Sequence, residues 1–149
     1  MRSMKGQVST ELLVIVAVVM AIFIPLLVMV YFKTSEANAQ ISAYQAELAV
    51  FRLAYIANSV GALGSNASLI TEVYVPDGVT EFSARTVGNG GEIVMKLQTP
   101  AGQSEVVEIV KYPIMHSPPF STAKGWARFT ITSAYKDGEP GLSIESTRQ

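Results

Sequence analysis

The stretch that decides the fold is MRSMKGQVSTELLVIVAVVMAIFIPLLVMVYFK, residues Met1 to Lys33. A basic segment is followed by a polar segment with one carboxylate, and then by 21 uncharged residues, Leu12 to Phe32, called here the apolar run. As an α-helix the apolar run would span about 30 Å, the thickness of a bilayer hydrocarbon core. Arg2 and Lys5 precede it and Lys33 follows it, which favours a cytoplasmic N-terminus and places the rest of the chain outside.

The best candidate for a cleavage site lies before the apolar run. An ordinary secretory signal is cut after its apolar core, behind small residues. Here the attractive position is the bond between Gly6 and Gln7, where the glycine leaves room at the scissile bond. Cleavage there would remove residues 1–6 as a leader and leave the apolar run on the mature protein.

A short motif at this bond resembles a known signature. Residues 5–11, Lys-Gly-Gln-Val-Ser-Thr-Glu, resemble the Gln-x-Ser-x-Glu signature of archaeal class III signal peptides, which occur on type IV pilin-like proteins. The signature positions are Lys5, Gly6, Gln7, Ser9 and Glu11. The resemblance implies that a prepilin peptidase cuts between Gly6 and Gln7. It also implies a homopolymer of identical subunits, assembled by a pilus assembly ATPase and a membrane core protein.

Glu11 is the residue with the most functional promise. A carboxylate beside a membrane-length apolar run is costly to bury alone. In a filament, Glu11 would pair with the freed α-amine of Gln7 on a neighbouring chain and set the axial register. The alternative is a helix-start carboxylate that the helix dipole stabilises, with Ser9 as a capping residue. Cyclisation of Gln7 to pyroglutamate would remove the amine partner.

The helix is expected to continue beyond the membrane. Residues 35–60 contain neither Pro nor Gly, and Gly61 and Gly64 then supply stop signals. The sequence predicts one helix over residues 7–60, with a filament-core part (7–33) and an amphipathic part (34–60). Pro25 lacks an N–H and is expected to kink it. Five apolar residues at helical spacing form a stripe that we expect to pack on the C-terminal domain: Ile41, Tyr44, Leu48, Phe51 and Tyr55.

The remaining residues, 61–149, are expected to form a β head. Short runs of alternating apolar and polar residues, separated by turn signals, predict strands over 69–75, 81–87, 92–98, 105–112 and 126–135, and a short last strand around residues 142–144. Asn89-Gly90 is a hairpin signal, and residues 113–125, with three prolines, read as a loop. The fold class is therefore α+β: a long hydrophobic helix, kinked at Pro25, packed on an antiparallel β-meander in the ladle-like arrangement of pilins.

Composition disfavours several classes of function. The chain has 149 residues, no Cys, one His and a formal charge of −1, so it predicts no disulfide framework, no thiolate metal site and no basic surface for nucleic acid. His116 lies near Ser117 and Ser121, but no nucleophile motif or convergent acid accompanies it. We therefore expect no catalytic residues, no metal site and no cofactor. The one glycosylation sequon begins at Asn66, in a turn where exposure is expected.

Three functions compete at this stage. The first is a structural pilin of an archaeal type IV pilus-like surface filament, which polymerises through its hydrophobic helix and serves adhesion or surface attachment. It would reside in the cytoplasmic membrane before assembly and on the cell surface afterwards. The second is a membrane-anchored surface β domain or minor pilin that binds a target without forming the filament body. The third, an enzyme, lacks a site. The absence of a linker between anchor and head favours the first.

Overall fold

The chain forms one long helix followed by a β region. The computed structural model describes residues 4–100, 102–136 and 138–148, with side chains from Thr10 onward other than those of Lys136 and Arg148. Two compact units are present, Met1–Asn38 and Ala39–Gln149. The helix, α1 (Met4–Leu63), supplies the first unit and opens the second. The expected α+β class is confirmed.

α1 is longer than the predicted helix. It runs past Pro25 without ending, and the predicted kink stays a prediction. Gly61 does not stop it: Gly61 is buried inside α1, and a side chain there would overlap the ring of Tyr112. This glycine therefore serves close packing rather than termination. The helix ends at Leu63, before Gly64, whose φ of +89° is the left-handed conformation that commonly closes a helix.

In the part of the chain that the structure describes, seven strands follow α1 and form two sheets. Their bounds are β1 (Ser68–Val75), β2 (Val79–Val87), β3 (Gly90–Thr99), β4 (Gly102–Val110), β5 (Ile114–His116), β6 (Gly125–Lys136) and β7 (Glu139–Arg148). One sheet has the order β1-β6-β7-β5 and the other β2-β3-β4. All pairs are antiparallel except β5 with β7.

The strand connections differ from a single meander. β2, β3 and β4 do form one, but β1 pairs with β6 instead of β2, with Val73 opposite Ala127. The segment predicted as a loop contains β5, held by Thr86: its Oγ accepts from the amide of Ile114 at 2.9 Å and donates to the Ile114 carbonyl at 2.7 Å. β7 is also a full strand of ten residues. These long-range pairings carry no local sequence signal.

One core lies between α1 and both sheets. From β1, β6 and β7 it takes Val73, Val75, Phe129, Ile131, Leu142 and Ile144, and from β2 and β3 it takes Phe82, Ile93, Met95 and Leu97. A triad of rings ties the sheets together, because Phe82 of β2 and Phe129 of β6 both contact Phe120, at centroid distances of 4.9 and 5.0 Å. The amide of Phe120 also donates to the Phe82 carbonyl. The core therefore joins α1 and both sheets in one packed unit.

Candidate assembly surface

The apolar run is exposed on every side. All its large apolar side chains, from Leu12 to Phe32, are between 44 % and 72 % exposed. An exposed apolar surface of this extent marks contact with a membrane or with other protein. By length and composition α1 contains a segment able to cross a bilayer. The first unit therefore carries an apolar surface whose exposure to water is unfavourable.

Polar groups border the apolar run. Glu11 is exposed and lines a shallow depression with Thr10, Val14 and Ile15. Beyond the other end, the Lys33 ammonium donates to the Glu36 carboxylate at 2.9 Å. The run thus begins beside an acidic side chain and ends beside a basic one, so charged groups bound it at both ends.

The predicted processing residues lie at the very start of α1. Residues 5–9 are helical in their backbone, and this range includes Lys5, Gly6, Gln7 and Ser9. Their side chains are outside the part of the chain that the structure describes. Cleavage at Gly6–Gln7 and the register role of Gln7 with Glu11 therefore stay predictions.

The stripe predicted to pack on the β head faces solvent instead. Ile41, Tyr44, Leu48, Phe51 and Tyr55, called here the outer stripe, are 53 %, 65 %, 68 %, 55 % and 66 % exposed. The prediction of helix–head packing through these residues was wrong. The buried side of α1, called here the inner face, is made instead of Ala46, Ala49, Val50, Leu53, Ala54, Ala57 and Val60.

Side-chain size explains this reversal. Four of the seven inner-face residues are alanines, which let the helix backbone lie close to the sheets. The larger rings of Tyr44, Phe51 and Tyr55 would hold the helix away from the strands. Both faces have helical spacing, so spacing alone could not choose between them. The alanines that recur along one side of the helix, from Ala46 to Ala57, were the signal in the sequence that could have identified the packed face.

Two grooves flank the outer stripe within the second unit. On one side, a groove of about 470 Å³ is lined by residues of α1, β1 and β6: Gln45, Leu48, Ala49, Arg52, Val73, Tyr74 and Trp126. Trp126 is 62 % exposed and meets Tyr74 edge-on, with ring centroids 5.6 Å apart. On the other side, a groove of about 430 Å³ is lined by Tyr44, Glu47, Leu48, Phe51 and Glu108. Leu48 lines both grooves, so it lies at the centre of the apolar surface.

The charged residues on the two sides of the outer stripe have opposite sign. Arg52 lies in the Trp126 groove, and Glu47 and Glu108 lie in the other. Among the residues that the structure describes, none of these three forms a salt bridge. An apolar centre with aromatic rings and a charged rim is the usual composition of a protein–protein interface.

Asn66 is presented as a glycosylation acceptor would be. It is exposed in the turn between α1 and β1, with a φ of 66°, a conformation that Asn adopts more readily than most residues. Its amide donates to the Ser133 carbonyl at 3.3 Å, and the Ser68 hydroxyl of the sequon contacts Thr132 Oγ at 3.1 Å. The turn is therefore anchored to β6, and modification of Asn66 stays a prediction.

In the described part of the chain, no hydrogen bond joins His116 to Ser117 or Ser121. His116 is exposed at the end of β5, and Ser117 donates only a 3.5 Å bond to the neighbouring Pro118 carbonyl. Among the described residues, no group of three His, Asp or Glu side chains could hold a metal ion. Glu11, the apolar run and the outer stripe are thus the features with functional promise.

No protein-family model, curated protein or solved structure matches this chain.

Proposed function

We propose that this protein is a structural subunit of a type IV pilus-like surface filament of an archaeal cell. The observation that carries the proposal is the apolar run, exposed on every side and attached to a folded β domain. Such a helix needs a lipid or protein environment. A membrane would serve before assembly, and a bundle of the same helices from neighbouring copies would serve afterwards.

The pattern of exposed surface supports a polymer over a simple anchor. A lone membrane anchor needs only the apolar run, yet the outer stripe adds a second apolar surface beyond Lys33. Eight residues from Lys33 to Gln40, mostly polar, separate the two surfaces in the sequence. The outer stripe therefore lies outside the span that a bilayer would cover, and a partner protein is the more suitable environment for it.

The proposed assembly route begins with removal of the leader. The residues around Gly6 and Gln7 carry the signature resemblance, so a prepilin peptidase is the proposed processing enzyme. A pilus assembly ATPase and a membrane core protein are the proposed partners for insertion into the filament. No enzymatic role is proposed for the chain itself.

The test compares cells with and without this chain. Negative-stain electron microscopy should show surface filaments that disappear on deletion and return on complementation. Peptide mapping of the sheared surface fraction should find Gln7, or its cyclised form, at the N-terminus. Replacement of Gly6 with Leu should leave the precursor in the membrane, because a bulky side chain at the scissile bond blocks the peptidase.

Two results would refute the proposal. A mature chain that begins after Phe32 would indicate an ordinary secretory signal. A correctly processed chain that stays in the membrane, with filaments unaffected by its deletion, would favour the alternative of an anchored binding domain. Loss of adhesion alone does not separate these outcomes, since both kinds of protein can mediate it.

A further inference from the structure

The sheet formed by β1, β6, β7 and β5 has a side rich in hydroxyl groups. On its strands, core residues such as Phe129 and Ile144 alternate with side chains that point away from the core. The second half of α1 packs against the core side, so the other side is open to solvent in the folded chain. Its hydroxyl residues, called here the hydroxyl face, are all exposed or half-buried: Ser68, Thr130, Thr132, Ser143 and Thr147.

The strand register arranges these hydroxyls in rows. Ser68, Thr132 and Ser143 lie opposite one another on three neighbouring strands, and the hydroxyls of Ser68 and Thr132 are 3.1 Å apart. Along β6, the outward residues from Trp126 to Thr132 extend over about 20 Å, and the three strands together are about 10 Å wide. The hydroxyl face is therefore an elongated polar strip, long enough to contact several units of a chain molecule.

One end of this strip is aromatic. Trp126, the single Trp of the chain, is 62 % exposed and contacts Tyr74, its partner on β1, edge-on. Such exposure is unusual, because Trp is highly buried on average. Trp126 also lines the groove beside α1, so its ring lies at the rim of the hydroxyl face. Between this ring and the hydroxyls, Arg128 donates to the Glu72 carboxylate at 2.9 Å.

We propose that the hydroxyl face, with Trp126 at its end, binds an uncharged polysaccharide. This inference rests on the proposed filament function, and it names the class of target to which the filament would attach. The C–H groups on one face of a sugar ring stack on an aromatic ring, whose face carries negative charge density. Sugar hydroxyls both donate and accept hydrogen bonds, as those of Ser and Thr do. The Arg128 and Glu72 pair adds further donors and acceptors beside the ring.

The other side chains on this surface disfavour other occupants. Nucleic acids and anionic lipids are bound by clusters of cations. Among the described outward side chains of β1, β6 and β7, Arg128 is the one cation, and it is already paired with Glu72. Glu145 adds an exposed carboxylate, which would repel an acidic polysaccharide. Ile70 is the one large aliphatic side chain of the same set, whereas a protein interface needs an apolar centre.

The fluorescence of Trp126 tests this inference directly, since the chain has no other Trp. The full-length chain in micelles of lauryldimethylamine oxide, a detergent without sugar, is titrated with cellohexaose, N-acetylchitohexaose and mannohexaose. We expect at least one of them to shift the emission to shorter wavelength, because a stacked sugar removes water from the indole. The shift should saturate with a Kd of about 0.01–1 mM. Saturation by none of the three, or only by the acidic control hexaguluronate, would refute the inference.

Substitutions on β6 locate the site, with isothermal titration calorimetry as a readout that needs no Trp. Trp126→Ala should raise the Kd at least about tenfold. Thr130→Val, which keeps the shape but loses the hydroxyl, should raise it about threefold to tenfold. The matched control is Tyr135→Ala, because Tyr135 is 53 % exposed on the same strand, at a position that alternates with the hydroxyl face. Its Kd should equal that of the wild type, and near-UV circular dichroism checks that each variant is folded.

An unchanged Kd in Trp126→Ala, or an equal rise in all three variants, would contradict the assignment of the site.

The outcomes for binding and for assembly are independent. Filaments that contain this chain, together with a purified chain that binds none of the neutral hexasaccharides, would refute the inference and leave the filament proposal intact. Saturable binding through Trp126 without any filament would support the site and refute the filament. Sheared filaments that fail to retain the hexasaccharide bound by the purified chain would refute the attachment role, because the hydroxyl face would then be covered on assembly.

Discussion

Glu11 is the residue on which the assembly hypothesis depends most. It is exposed next to the uncharged apolar run. An exposed carboxylate at this position is well solvated in the isolated chain, but insertion into a helix bundle would remove its water. The proposed partner, the α-amine of Gln7 on a neighbouring chain, would offset that cost, because opposite charges in an apolar surrounding attract strongly.

Replacement of Glu11 separates recognition from assembly. Glu11→Ala should retain membrane insertion, because removal of a charge makes insertion easier. It should reduce filament formation, since subunits lose the contact that sets their register, and Glu11→Gln should behave similarly. Filament counts are taken only from variants whose N-terminus maps to Gln7. Normal filament length and number in a cleaved Glu11→Ala variant would leave Glu11 as a recognition or helix-start residue.

An ion pair on the sheet formed by β2, β3 and β4 makes the free energy of unfolding depend on pH. The Lys96 ammonium donates to the Glu81 carboxylate at 2.7 Å. This hydrogen bond, with the attraction between the charges, lowers the pKa of Glu81 below its ordinary value of 4.5. The same hydrogen bond raises the pKa of Lys96 above 10.5. The stabilisation is therefore present between those values, and is lost as acid protonates Glu81 or as alkali deprotonates Lys96.

Lys96→Met should weaken the acid dependence of stability. In the wild type, a fall from neutral pH to acid below the lowered pKa of Glu81 removes the contribution of the pair, because Glu81 binds a proton more readily when unfolded. Without Lys96 that contribution is absent at both pH values, so the drop in unfolding midpoint should be smaller. Lys111→Met serves as the control, since Lys111 is exposed and outside the described salt bridges. An equal drop in both variants would contradict the assignment.

At the scale of elements, the second half of α1 shows which structural features a sequence pattern can predict and which it cannot. The helix itself was predictable from its composition and from the absence of Pro and Gly over residues 35–60. The packed face of the helix was not predictable, because the inner face and the outer stripe have similar helical spacing. The outer stripe, with its larger side chains, looked more suitable for a core. Close packing favoured the alanines, and the bulky residues were left outward.

Strand positions were likewise more predictable than strand partners. The hairpin signal at Asn89-Gly90 correctly joined β2 to β3. Pairing of β1 with β6 joins residues about fifty positions apart, such as Val73 and Ala127, and depends on the shared core. β5 was missed because it has three residues among prolines and depends on Thr86 from another strand. The apolar run needed no partner to be recognised, so this part of the candidate site was readable from sequence.

A pair of leucine substitutions tests the reversed faces of α1. Leu53 is fully buried and Leu48 is 68 % exposed, five positions away on the same helix. Leu53→Ala should lower the free energy of unfolding by about 2–5 kcal/mol, the usual cost of a buried cavity. Leu48→Ala should change it by less than about 0.5 kcal/mol. Urea unfolding of residues 39–149 provides the measurement, and a larger loss for Leu48→Ala would restore the original packing prediction.

At the scale of the whole molecule, the division of the chain into two units predicts how it behaves in water. Residues 39–149 contain the inner face, both sheets and their common core. A fragment of these residues should be soluble and monomeric, because it lacks the apolar run, which is the proposed polymerising element. Size-exclusion chromatography with light scattering checks the mass. Filaments formed by this fragment alone would show that the apolar run is not the polymerising element.

The central claim is that copies of this chain polymerise through the apolar run. The most direct measurement is a cryo-electron microscopy reconstruction of filaments sheared from cells that produce the chain. The account predicts density that fits this sequence from Gln7 onward, with residues 12–32 of neighbouring copies in mutual contact in the interior and the β domains outside. Filaments built of another protein, or of this chain with residues 12–32 absent or on the outer surface, would contradict it.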